Sequence, residues 1–174
     1  MAYAFSQVGR GQDQDTVGFV SGTDAQSIDV ETARAMFDEV IEALSLAGED
    51  TSNIVFGEGY GYDRNGVTDS TKDFNRFRRA AKQVPGSYNP RTGEITIYRN
   101  AFSTRLGPYQ TASGELGWQT FSAEAGFQSG LFITGHELGH RINNHNWNTN
   151  RNEFQANRYA RQVYDRVCQG NPRC

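Results

Sequence analysis

The segment His136-Glu137-Leu138-Gly139-His140 sets two imidazoles four residues apart and a carboxylate directly after the first. On a helix, positions i and i+4 share a face with Cβ atoms about 5–6 Å apart. Both rings can then reach one metal ion at roughly 2.0–2.1 Å. Glu137 falls about 100° round the helix from His136, near such an ion without being forced to bind it. That position suits a general base acting on metal-activated water. A bare HExxH also arises by chance. Here it uses two of the 3 histidines in 174 residues, and the third, His145, follows within five positions.

Two nearby side chains compete to complete the ligand set. Glu153 lies in Glu153-Phe154-Gln155-Ala156-Asn157-Arg158-Tyr159-Ala160, where Glu153, Asn157 and Ala160 share one helical face. If that helix folds back on the HExxH helix, the set becomes His136, His140 and Glu153, with a fourth position left for water. Asn157, one turn on, would accept a hydrogen bond from the far nitrogen of a ligand imidazole. His145 is the alternative ligand if the chain bends at Asn143-Asn144. Its spacing, five residues after His140, misses the six of HExxHxxGxxH, so packing or support of a ligand fits it better.

The elements that must position these groups follow from periodicity. Residues 123 to 143 read as the HExxH helix, capped by Ser122, with Phe127, Leu131, Leu138 and Ile142 facing the core. Gly126, Gly130, Gly135 and Gly139 each weaken it by roughly 1 kcal/mol relative to Ala, so their number predicts a closely packed neighbouring backbone. Asn143 to Asn150 breaks the helix. Residues 150 to 167 form the last one, whose Ala156 and Ala160 permit close approach. Upstream, Asp29 caps a helix over 29–47 in which Val30, Ala33, Phe37, Val40, Ile41 and Leu44 follow helical spacing, with Gly48 at its stop. Residues 53–57 form a buried strand and 57–66 a turn-rich connection. A second helix spans 70–84, with Phe74, Phe77, Ala81 and Val84 on one face. Residues 94–100 form a half-exposed strand after an NPRTG turn. A weak hairpin occupies 1–20, and 101–121 is a polar connection.

Composition bounds the class. The length suits one domain over 1–174 with its own core. A net charge of -3 gives no global attraction to nucleic acid or anionic membranes; the basic run Arg76 to Lys82 reads as a solvated helix face. No apolar run is long enough to span a bilayer, and the start shows no Sec signal. The chain is therefore expected to be cytoplasmic as synthesised, or exported or delivered by other machinery. Cys168 and Cys174 either close a small loop in an oxidising place or stay as thiols.

HELGHRINNH followed by EFQANRYA resembles the zincin metallopeptidases, in particular the gluzincin branch, and is similar to compact zincin domains of bacterial toxins and effectors. The resemblance covers about 94–165, the catalytic core it implies; residues 1–93 carry none of it. It implies an α+β fold with a small, mostly antiparallel sheet on the HExxH helix. It makes His136, His140 and Glu153 zinc ligands, Glu137 the base, Asn157 the partner of a ligand imidazole, and strand 94–100 the edge along which a peptide lies. Asn157 stands where Asp is usual, which polarises the ligand imidazole less. No histidine remains downstream to steady the oxyanion, which leaves Tyr159, Arg158 and Tyr98 as donors.

The expected activity is zinc-dependent hydrolysis of a polypeptide, with no membrane or nucleic-acid partner. A delivered effector or toxin, with an inhibitor or immunity protein as partner, is one form of it. The alternative is a non-catalytic binding module stabilised by a metal whose shell His145 closes.

Overall fold

The computed structural model describes residues 3–4, 17–19, 25–63, 67–70, 73–80, 83–108, 122–146 and 149–174. Short strands β1 (Tyr3–Ala4) and β2 (Val17–Phe19) pair antiparallel; the turn expected between them lies outside the described residues. Helix α1 (Val30–Leu46) starts at Asp29, whose side chain accepts from the Thr32 amide at 2.8 Å, and buries Ala33, Phe37, Val40 and Leu44. It stops where Gly48 takes φ +86°, a conformation that suits glycine.

Strand β3 (Ile54–Gly57) follows, then β4 (Tyr60–Asp63) and β5 (Val67–Ser70), which pair antiparallel. Part of the stretch expected to be a connection is therefore strand. The second helix shrinks in consequence: α2 is Phe74–Arg79, capped by Asp73. Ser70 is already paired with Tyr60, and Gln83 bridges to Tyr62. Strand pairing thus takes both ends of the expected 70–84 helix. Phe77 remains at its inner face, stacked on Tyr60 with ring centroids 5.1 Å apart.

Strands β6 (Gly86–Tyr88) and β7 (Ile95–Tyr98) complete the sheet that matters for the site, in the order β3-β7-β6. β7 runs parallel to β3 and antiparallel to β6, so the sheet is mixed rather than mostly antiparallel. β7 is its central strand, with Ile95, Ile97 and Tyr98 all buried. The expectation of a half-exposed edge at 94–100 is overturned; β6 holds the edge instead. A 3-10 helix (Arg99–Phe102) and β8 (Leu106–Pro108, paired with β2) occupy the start of the expected polar connection.

Helix α3 (Phe127–Ile142) begins later than expected and without Ser122 as its cap. Ala123 exchanges backbone hydrogen bonds with Leu106 in both directions, at 3.0 and 3.2 Å, which holds that segment extended. Gly126 at φ +102° then turns the chain into the helix. Every residue from Ser129 to His140 is buried, because α1, the 3-10 helix and β6 with β7 lie on some sides and α4 (Asn150–Cys168) on another. Ile142 is 54% exposed and leaves the expected core stripe. The fold is α+β, with four α-helices among the described residues, none long and apolar enough to cross a membrane. Cys168 and Cys174 are joined in a disulfide.

Candidate metal centre

The glycines of α3 bring α4 within reach. A Cβ on Gly139 would lie 2.8 Å from the Cα of Ala156, and one on Gly135 would lie 3.1 Å from the Cα of Ala160. Such contacts leave no room for a side chain, so the two helix backbones meet at these positions. On α4, Glu153, Ala156, Asn157, Ala160 and Val163 form the buried face, as helical spacing requires. Thr149 caps α4 by accepting from the Asn152 amide, which sets Glu153 in the first turn, where a carboxylate is favoured by the helix dipole.

The result is a buried cluster of His136, His140 and Glu153 that could hold a metal ion. His136 Nε2 and His140 Nε2 are 3.0 Å apart, and Glu153 Oε2 lies 3.1 and 3.3 Å from them. A tetrahedral ion with bonds of roughly 2.1 Å separates its ligands by roughly 3.4 Å, so these separations are those of a donor set converging on one small cation. Glu153 Oε2 accepts no hydrogen bond although it is buried. Such an atom is costly unless a cation faces it.

The outer nitrogens of both rings are taken. Asn157 Oδ1 lies 2.8 Å from His136 Nδ1, and His145 Nδ1 lies 2.9 Å from His140 Nδ1. A proton on each Nδ1 leaves both Nε2 lone pairs directed at Glu153. His145 thus stands behind His140, outside the donor cluster, with its Nε2 2.8 Å from Gln155 Oε1. Burial, first of all, lowers the His145 pKa, which favours the neutral ring.

Burial works to raise the pKa of Glu153, but the His136 and His140 rings beside it, when protonated in the metal-free chain, hold it well below the usual carboxylate range. Glu137 goes the other way. Burial pushes its pKa up to about 7, with a further push from Glu153 and a counter-pull from His140. Two neighbouring carboxylates with pKa values driven apart is the pattern of a ligand beside an acid–base group. Gly86 of β6 covers Glu137: a Cβ there would lie 3.0 Å from Glu137 Cγ and 3.1 Å from its Oε1.

Of the three suggested oxyanion donors, Tyr159 is already engaged. The Tyr159 hydroxyl donates to Glu49 Oε2 at 2.5 Å, and burial and Glu49 push its pKa up to about 12. Arg158 is exposed. The Tyr98 ring packs where Cβ atoms of Gly57 and Gly61 would be. Gln155 and Gly86 were given no role by sequence reasoning. Gln155 sits i+2 from Glu153 and gave no periodic signal. Gly86, which follows Pro85 and opens β6, carried no signal in the sequence. No protein-family model, curated protein or solved structure matches this chain.

Proposed function

We propose that the chain is a zinc-dependent peptidase of the zincin type, with His136, His140 and Glu153 as zinc ligands and Glu137 as general base. The observation that carries the reading is the convergence of two Nε2 atoms and one unpartnered carboxylate oxygen beside a carboxyl tuned to about 7. Two imidazoles and one carboxylate leave a zinc coordination position open, as in catalytic sites. When bound, zinc would supply Lewis acidity, polarising a carbonyl and making water acidic near neutral pH.

The remaining work falls to the chain. Glu137 would take a proton from water as it attacks and return it to the leaving amine. Asn157 holds the His136 ring. β6 presents the edge of its sheet directly over Glu137, and among the described residues no strand pairs with its outer side. An extended polypeptide laid there would bring a peptide bond to the base by main-chain hydrogen bonding. The binding-module alternative needed His145 to close the shell; with His145 held between His140 and Gln155, that reading loses its fourth ligand. The Cys168–Cys174 disulfide suits an oxidising compartment, in keeping with export.

Purified protein should retain one zinc per chain, and a proteome-derived peptide library should show cleavages that disappear with Glu137→Gln while zinc is retained. Absence of zinc from the wild type after equilibration at micromolar metal, or equal cleavage by the variant, sinks the proposal.

A further inference from the structure

We infer that His145 and Gln155 form a relay that fixes the proton of His140 on Nδ1 and so aims its Nε2 lone pair at the metal position; this rests on the metal-site reading above. The chain of contacts is Gln155 Oε1 to His145 Nε2 at 2.8 Å, His145 Nδ1 to His140 Nδ1 at 2.9 Å, and His140 Nε2 to Glu153 Oε2 at 3.3 Å. Only one direction of polarity serves a cation. An amide oxygen on His145 Nε2 places that ring's proton there. His145 Nδ1 then carries a lone pair and can only accept, so His140 must donate from Nδ1. Reversing the Gln155 amide reverses every link and puts a proton on His140 Nε2, where it would block the cation.

The geometry holds this relay in place. His145 is buried, and its amide donates to the His140 carbonyl at 3.0 Å, closing the end of α3 so that the ring turns back under its neighbour. Asn144 takes φ +52° in that turn, a conformation Asn tolerates better than most residues. Gln155 comes from α4, two residues beyond Glu153, so one helix supplies both the third ligand and the far end of the relay. His136 Nδ1 faces a different group, Asn157 Oδ1 at 2.8 Å. The two imidazoles therefore have separate supports, and His145 and Gln155 are positioning residues for His140 alone.

The test measures His140 in metal-free protein by two-bond ¹H–¹⁵N correlation, which reports the nitrogen that bears the proton, and zinc affinity by chelator competition. Wild type should show His140 protonated on Nδ1. His145→Phe removes the acceptor; His140 should then populate the Nε2-protonated form and zinc Kd should rise about tenfold or more. Gln155→Met, on the half-buried flank of α4, should act in the same direction less strongly, and it carries the test if His145→Phe does not fold. His136 should keep its tautomer in both. An unchanged His140 tautomer with Kd within twofold of wild type in the folded variants overturns the relay. A wild type that binds no zinc but whose His140 loses its Nδ1 proton in the variants would retain the relay and refute only the zinc reading.

Discussion

A carboxyl buried beside another carboxylate resists ionising, and Glu137 shows it. Its folded pKa of about 7 lies above the ordinary 4.5, so the folded state disfavours the charged form. Below about pH 4.5 there is no penalty; as pH rises through 7, stability is lost, approaching about 3 kcal/mol at 1.36 kcal/mol per pKa unit. In metal-free protein, Glu137→Gln should therefore gain on wild type by up to about 3 kcal/mol between pH 4 and pH 8, read from urea midpoints. A stability difference that stays flat with pH would contradict the assignment. With zinc bound, the same substitution should lower kcat by about 10²–10⁴ with little change in metal affinity. Glu153→Ala should do the reverse, weakening zinc binding first. The residues of this cluster were legible because they repeat at helical spacing. Gln155 was not, since its role depends on how His145 turns back after α3 ends.

Helix contact decides whether the ligands meet. Gly139→Ala would normally strengthen a helix by roughly 1 kcal/mol, but its Cβ would press on the backbone of Ala156 at 2.8 Å. Backbone yields poorly, so the variant should lose about 1–3 kcal/mol and bind zinc more weakly as α4 moves off; thermal melts and chelator titration check both. The edge strand offers a separable effect. Gly86→Ala would crowd Glu137 and not the ligands, so kcat should fall while zinc Kd holds, a split visible in steady-state kinetics beside metal titration. The close approach of α3 and α4 was readable from Gly135 and Gly139, which face Ala160 and Ala156; Gly130 instead makes room for the Phe102 ring. The identity of the edge strand was not. Ile95 and Ile97 alternate with Thr96 as a half-exposed strand would, yet β3 and β6 cover both sides of β7, and such pairing is invisible to a local pattern.

Over the whole molecule, stability should depend on metal by mass action. Free zinc at a thousand times its Kd would add about 4 kcal/mol, a rise in melting temperature that a chelator reverses. The disulfide acts elsewhere, at the end of α4. Replacing Cys168 and Cys174 by Ser should cost about 2 kcal/mol through the short loop it closes while leaving zinc affinity unchanged; calorimetry with and without metal separates the two. The mixture of helices and strands was legible from their separate periods and the α+β class from the resemblance, whereas the division into small sheets was not, because β3 and β7 join residues some forty positions apart. Glu153, by contrast, follows His136 by only seventeen positions, so gripping a cation closes a short loop at small entropic expense. A bound ion would thus let the centre assemble before the distant strands find each other, and would act as a folding nucleus. Stopped-flow refolding should accelerate when zinc is present from the start, with the gain lost in His140→Ala.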